Sequence, residues 1–136
     1  MNKFNFYQFF NDINEQLTLN KTLVNKLKKT SEKIKNCNKK KNKVIFIGNG
    51  GSAATSSHIS VDLTKNAKIK SINFNEADLI TCLSNDYGYE KLFLNALKLY
   101  ASKGDIVIIL SCSGESKNLI NALKFCKKKN IFVITF

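Results

Sequence analysis

Two short segments rich in glycine and serine are candidates for binding an anion. The first is Gly48–Ser52, with the sequence Gly-Asn-Gly-Gly-Ser, and the second is Ser111–Ser116, with the sequence Ser-Cys-Ser-Gly-Glu-Ser. Glycine lets backbone N–H groups approach a ligand without a Cβ in the way, and serine hydroxyls donate to oxyanions. Neither segment is a Walker A loop or a Gly-x-Gly-x-x-Gly fingerprint. The two segments predict a phosphate-binding site, and no nucleotide cofactor is expected.

One histidine and one aspartate are spaced to act together on a helix. His58 is the only histidine in the chain, and Asp62 follows four residues later. Side chains four residues apart project from the same face of a helix, which suits joint coordination of zinc or a hydrogen bond between imidazole and carboxylate. A lone histidine on a helix is more often structural or merely solvated, and the residues by themselves leave these alternatives open.

The elements that must position these residues alternate between strands and helices. Apolar runs predict strands at 44–47, 71–74, 79–83, 106–110 and 131–136, and helical periodicity predicts helices at 53–65, 90–101 and 118–128. Ser52 is the predicted N-cap of the helix that follows the first loop. This alternation predicts an α/β fold with a parallel sheet and helices on both faces. Both loops then follow the carboxyl ends of strands, where open α/β sheets bind ligands.

The first part of the chain, residues 1–36, has a helical pattern of its own. Its apolar residues recur every three, four or seven positions and form one stripe, which contains Phe10, Ile13, Leu17, Val24, Leu27 and Ile34. Asn20 and Ser31 interrupt the stripe. The pattern fits a helix that covers its own domain and, equally well, one that pairs with a neighbouring subunit. We expect a single domain over residues 1–136, with this helical segment preceding an α/β core at 43–136.

The composition limits the class of protein. With 136 residues, of which 43% are hydrophobic, the chain can bury one core, and no apolar run reaches the roughly 18 residues of a membrane span. The first ten residues lack the features of a secretory signal, so a cytoplasmic protein is expected. The net charge of +12 comes from dispersed lysines without interleaved aromatic residues, so no nucleic-acid partner is expected. The four cysteines show no zinc-site spacing and are expected to be buried and reduced.

Taken in order, the motifs resemble those of sugar isomerase (SIS) domains, and within these the phosphoheptose isomerase branch. The motifs are Gly48–Ser52, His58, the run Leu-Ser-Asn-Asp-Tyr-Gly at 83–88, and Ser113–Ser116. The resemblance, which extends from about Val44 to Phe136, implies a three-layer αβα sandwich. It also implies an aldose–ketose isomerase that converts sedoheptulose 7-phosphate to D-glycero-D-manno-heptose 7-phosphate through an enediol. The implied assembly is a homotetramer with the N-terminal helices packed between subunits.

The same resemblance implies a role for each matching residue. Substrate would contact both loops and the run between them, at Asn49, Gly50, Gly51, Ser52, Asn85, Asp86, Ser111, Cys112, Ser113 and Ser116. His58 and Asp62 would form the catalytic and metal-binding pair, with His58 as a zinc ligand and Asp62 as both ligand and base. Proton transfer between adjacent carbons needs a base and an acid in a site closed to bulk water.

A second hypothesis is a non-catalytic SIS protein that binds a sugar phosphate and acts as a regulator or assembly partner. Asp62 stands where the isomerase branch has glutamate, and Glu115 where it usually has asparagine. The branch's C-terminal glutamine and histidine have no counterpart before Phe136, which leaves zinc with an incomplete set of ligands. Because the chain stops within a strand-like run with no helix behind it, we expect a C-terminal part to be missing.

Overall fold

The computed structural model describes residues 4–136, which divide into two compact units. One unit ends at Glu32, and the other runs from Lys33 to Phe136. The elements in chain order are α1 (Phe6–Leu17), α2 (Lys21–Lys39), β1 (Val44–Gly48), α3 (Gly51–Lys65), β2 (Ser71–Asn73), α4 (Ala77–Tyr87), a 3₁₀ turn (Tyr89–Lys91), α5 (Leu92–Tyr100), β3 (Ile106–Leu110), α6 (Lys117–Lys128) and β4 (Phe132–Thr135). Across residues 4–136, no helix combines the length and the apolar character that a bilayer crossing requires.

The N-terminal segment forms two helices, and the break between them lies at one of the residues that interrupt the apolar stripe. Asn20 accepts a hydrogen bond from the backbone N–H of Leu23 through its Oδ1 at 2.8 Å, which caps the start of α2. Ser31, the other interruption, lies inside α2. The two interruptions therefore differ. Asn20 caps the start of a helix, whereas Ser31 lies within one.

Four parallel strands form the sheet in the order β2-β1-β3-β4. β1 and β3 lie in the centre and are almost wholly buried, as continuous apolar runs predict for strands covered on both faces. The register pairs Val44 with Ile106 and Gly48 with Leu110, so the two central strands end at the same level. The predicted α/β fold with a parallel sheet is confirmed.

Side chains of β1 alternate between two apolar clusters on opposite faces of the sheet. Ile45 and Ile47 pack with residues of α4, α5 and α6 on one face. Val44 and Phe46 pack on the other face with Cys37 and with residues of α3. The helix after β1 (α3) and the helix after β3 (α6) therefore cover opposite faces of the sheet. The chain leaves the carboxyl ends of these two neighbouring strands in opposite directions. The result is a three-layer αβα sandwich with a topological switch point between β1 and β3.

Two predicted strands differ from those observed. The segment 79–83 is helical within α4, where Leu79, Ile80 and Leu83 contact the core while Cys82 faces out. A short apolar run has no periodicity that separates a strand from one buried side of a helix. The last run does form a strand, β4, but it is an edge strand paired with β3, and Phe132 is exposed rather than buried.

A buried carboxylate holds the amino ends of the two central strands together. Asp105, just before β3, is 2% exposed, and its Oδ2 lies 2.6 Å from the Nζ of Lys43. It also accepts hydrogen bonds from the backbone N–H groups of Lys43 at 3.0 Å and Ser102 at 2.8 Å. A buried charge is tolerated when it is paired and hydrogen-bonded in this way. The ion pair therefore fixes the start of β1 relative to β3, opposite the carboxyl ends.

The four cysteines are free thiols of two kinds. Cys37 and Cys126 are buried, as expected, but Cys82 and Cys112 are exposed, so the expectation that all four are buried is wrong for these two. Burial raises the pKa of the Cys126 thiol to about 11. Burial, with a contribution from the nearby Asp105 carboxylate, also raises the pKa of Cys37. The buried thiols are therefore protonated and unreactive near neutral pH, since the thiolate is the reactive form.

Candidate functional site

The two glycine- and serine-rich loops meet at the carboxyl end of the sheet. Because β1 and β3 are neighbours with Gly48 opposite Leu110, the loops begin side by side. A cleft of about 610 Å³ opens between them, lined by Asn49, Gly51, Ser52, Thr55, Leu110, Ser111, Cys112, Ser113, Ser116, Leu119 and Phe136. This volume suits a small organic ligand. Segments about sixty residues apart in sequence thus form one site, and seven of the predicted binding residues line it.

The first loop turns sharply through glycine. Gly50 has φ 52° and ψ −123°, a conformation that residues with a Cβ rarely adopt. It also occupies the N-cap position of α3, and the backbone N–H of Ser52 bonds to the carbonyl of Asn49 at 3.0 Å. Ser52 is therefore not the N-cap that the sequence predicts, because the backbone turn itself starts the helix. Ser52 nevertheless lines the cleft, while Gly50 does not.

The second loop arranges serine hydroxyls around the same cleft. The Oγ of Ser111 accepts the backbone N–H of Gly114 at 3.0 Å, and the Oγ of Ser113 accepts that of Glu115 at 3.2 Å. A hydroxyl that accepts still has its own hydrogen to donate. Ser116 is the N-cap of α6 and makes no side-chain capping bond. Hydroxyl donors thus accompany the amino ends of α3 and α6, whose N–H groups and dipoles favour an anion.

Four residues that line the cleft were not identified from the sequence: Thr55, Leu110, Leu119 and Phe136. Thr55 follows Gly51 by one helical turn, and this spacing could have identified it. Phe136 gave no such signal, because its position depends on the pairing of β4 with β3. Its carbonyl accepts the backbone N–H of Ser111 at 3.0 Å, which ties the end of β4 to the second loop.

His58 and Asp62 face each other on α3 but do not line the cleft. Nε2 of His58 lies 3.4 Å from Oδ2 of Asp62, as their spacing predicts, and the side chains are 81% and 50% exposed. Gly51, Thr55, His58 and Asp62 follow one another at intervals of four, three and four, which places them on one stripe of the helix. This stripe leads from the cleft to the pair over about 10 Å of helix between Gly51 and His58.

The pair does not provide a zinc site by itself. Zinc sites use three or four protein ligands, and His58 and Asp62 supply two. Within residues 4–136, no cluster of three or more His, Cys, Asp or Glu side chains is placed to hold a metal ion. The described residues therefore do not fit zinc alone, and zinc binding at this pair stays a prediction.

Asn85 and Asp86 lie near the end of α4 and are absent from the lining of the cleft. Both are exposed, and the Nδ2 of Asn85 donates to the Oδ1 of Asp86 at 3.0 Å. The structure thus does not bring these two residues together with the loops, and their contact with substrate stays a prediction.

The sequence and the fold match one known family. The SIS domain family model matches residues 6–136. The chain belongs to the SIS domain family. This SIS domain is 37% identical over 128 residues to phosphoheptose isomerase 2 of Campylobacter jejuni, covering 90% of the chain and 64% of that protein. It is 35% identical over 115 residues to the phosphoheptose isomerase of Cytophaga hutchinsonii, covering 81% and 60%. The SIS domain thus spans less than two thirds of these curated relatives.

Solved structures agree with this assignment. The phosphoheptose isomerase of Neisseria gonorrhoeae matches with a TM-score of 0.84 and 27% identity, covering 95% of the SIS domain chain and 71% of that structure. A phosphoheptose isomerase from Francisella tularensis matches with a TM-score of 0.72 and 22% identity, covering 78% and 59%, and supports the fold alone.

Proposed function

We propose that this SIS domain binds a sugar phosphate, with the phosphate in the cleft between the two loops. The supporting observation is the convergence there of two helix amino ends with the hydroxyls of Ser111, Ser113 and Ser116. Hydroxyls and backbone N–H groups stabilise phosphate oxygens, but they do not select the sugar that carries the phosphate.

We further propose that the sugar phosphate is sedoheptulose 7-phosphate and that the protein isomerises it to D-glycero-D-manno-heptose 7-phosphate. Two relatives named phosphoheptose isomerase support this assignment. The phosphate and the reacting carbons lie at opposite ends of the heptose, which suits a stripe running along α3 from the cleft to the His58–Asp62 pair. Asp62 would remove a proton from C1 of the ketose while the C2 carbonyl oxygen takes up a proton, which gives an enediol. Return of a proton to C2 with loss of the proton on the C1 oxygen would give the aldose. His58 would orient the Asp62 carboxylate through their 3.4 Å contact.

The alternative is a sugar-phosphate-binding protein without turnover. The exposure of His58 and Asp62 favours it, because proton abstraction from carbon needs a site that excludes water. One experiment separates the two functions. Calorimetry measures binding of sedoheptulose 7-phosphate, and NMR follows the appearance of the aldose in the same mixture. Binding with turnover supports the isomerase, binding without turnover supports the alternative, and absence of binding contradicts both.

We also propose that the protein assembles as a homotetramer through its N-terminal helices. In the unit that ends at Glu32, α1 has no buried residue, and its aromatic side chains are largely exposed, Phe6 at 67% and Tyr7 at 87%. Exposed aromatic faces of this kind are typical of protein contacts. Sedimentation velocity at micromolar concentration should give four times the chain mass of 15.3 kDa, and a monomer would contradict the proposal. The cytoplasmic location and the absence of a nucleic-acid partner stay predictions.

Cysteine reactivity gives an independent test of the cleft. At about pH 8, we expect a thiol reagent to modify Cys82 and Cys112 in the folded chain but not Cys37 or Cys126, whose pKa values are raised. Because Cys112 lines the cleft, a sugar phosphate at ten times its Kd should slow modification of Cys112 about tenfold by mass action. Cys82 on α4 does not line the cleft, so it is the internal control and should be protected less than Cys112. Mass spectrometry of the labelled peptides measures both rates, and equal protection of the two thiols would contradict this placement.

A further inference from the structure

Beside the first loop, Asn49 belongs to a closed polar network with Asn118 and Tyr89. The Nδ2 of Asn49 donates to the Oδ1 of Asn118 at 3.0 Å, and the Nδ2 of Asn118 donates back to the Oδ1 of Asn49 at 2.9 Å. The hydroxyl of Tyr89 lies 3.0 Å from the same Asn49 oxygen. The two asparagines are 69 positions apart, so this amide pair joins the loop after β1 to the first turn of α6.

One backbone group fixes the direction of these bonds. The N–H of Leu119, which can only donate, bonds to the Oδ1 of Asn118 at 2.9 Å. This identifies the Asn118 oxygen, so its amide nitrogen faces Asn49, and Asn49 must present oxygen to it. The Tyr89 hydroxyl must then donate to that oxygen. Both lone pairs of the Asn49 oxygen are occupied, which leaves Asn49 one N–H to donate and no free site to accept.

The position of the network connects it with the ligand site. Asn118 is 2% exposed, and a buried amide whose bonds are satisfied resists reorientation because an unpaired amide would be costly. Asn49 lines the cleft between the two loops and also an adjoining groove of about 490 Å³, which Tyr89 and Asn118 line with it. Asn49 is thus the one residue of the network that lines the cleft, and its carboxamide is bonded to two residues that line only the groove.

We propose that Asn118 and Tyr89 are positioning residues that hold the Asn49 carboxamide as a donor-only group toward the ligand. The proposal rests on the proposed binding of a sugar phosphate in the cleft. A fixed N–H favours an oxygen of the sugar that can accept a hydrogen bond over a group that can only donate one. Asn118 and Tyr89 would then influence recognition of the sugar without touching it, while the serine loop holds the phosphate.

The test compares two ligands in three variants. Asn118→Ala removes both hydrogen bonds to Asn49 without adding a charge, and Leu119 keeps its bond to the Ser116 carbonyl. Tyr89→Phe removes only a hydroxyl at an exposed position. Asn121→Ala, one turn further along α6, removes a hydrogen bond to the Glu90 carbonyl in the same way and is the matched control. Calorimetry measures the affinity of each variant for sedoheptulose 7-phosphate and for inorganic phosphate.

We expect Asn118→Ala to weaken sugar-phosphate binding about tenfold and Tyr89→Phe about threefold, the range of one hydrogen bond, with inorganic phosphate changed less than about twofold. The control should bind both ligands like the wild type. Equal losses for both ligands would indicate a merely structural role and overturn the proposal, as would an unchanged affinity for the sugar phosphate.

The network is also testable without a ligand. In urea unfolding, the double variant Asn49→Ala/Asn118→Ala should lose less stability than the sum of the two single losses, because the two residues share a reciprocal pair of hydrogen bonds. If the two single losses of stability add in the double variant, the hydrogen bonds between Asn49 and Asn118 are contradicted. If the wild-type chain binds neither ligand, both the proposed function and the positioning role of Asn118 and Tyr89 are contradicted. The urea experiment still tests whether Asn49 and Asn118 interact.

Discussion

Replacing Ser113 with aspartate is expected to weaken sugar-phosphate binding at least about 100-fold, because like charges brought together at a binding site cost several kcal/mol. Ser113 lines the cleft, and its Oγ accepts the backbone N–H of Glu115 at 3.2 Å. An aspartate carboxylate there keeps an acceptor for that N–H but puts a negative charge beside the phosphate. Calorimetry with sedoheptulose 7-phosphate and with inorganic phosphate, at one fixed ionic strength, measures the loss.

Ser113→Asn is the matched control, since asparagine has the shape of aspartate without its charge. We expect it to lose about tenfold at most, the effect of one hydroxyl donor. The loss in Ser113→Asp should affect both ligands, because both present phosphate oxygens to the second loop. Equal losses in the two variants would mean that side-chain size, and not charge, disturbs the cleft. Full binding by Ser113→Asp would show that the phosphate lies elsewhere.

A second large effect is expected at the end of β1, where Gly48→Ala should lower the free energy of unfolding by about 1–3 kcal/mol. A Cβ at Gly48 would lie 2.9 Å from the backbone C and O of Ser52 and from its Cβ. Real Cβ atoms do not approach so closely, so the first turn of α3 must move away from the strand. Urea unfolding followed by circular dichroism measures the change.

Gly51→Ala is the matched control, three residues further along the same loop. A Cβ at Gly51 meets nothing within 4 Å, and the residue begins α3. This variant should be neutral or more stable by up to about 1 kcal/mol, because alanine loses less backbone entropy on folding than glycine. Equal destabilisation of the two variants would contradict the close approach of α3 to β1. Because the first turn of α3 also lines the cleft, Gly48→Ala should weaken phosphate binding as well.

Features that depend on local composition could be predicted from the order of residues alone. The apolar runs at 44–47 and 106–110 form β1 and β3, because continuous apolar runs rich in valine and isoleucine suit strands covered on both faces. The glycines and serines that follow each run predicted where a loop gives way to a helix. The contact between His58 and Asp62 could also be predicted from the sequence, because side chains four residues apart in one helix are neighbours on its surface.

Which of these local features meet depends on how the whole chain packs. Strand order places β1 beside β3, and only this adjacency turns two loops into one cleft with a switch point behind it. Tertiary packing also separates strands from helices among the apolar runs. The segment 79–83 is a helix in which Leu79, Ile80 and Leu83 pack on the core. The roles of Asn118 and Phe136 depend on partners distant in sequence, so no pattern of spacing could identify them. Burial and hydrogen-bond partners are properties of the packed chain, whereas periodicity and turn composition belong to the segment itself.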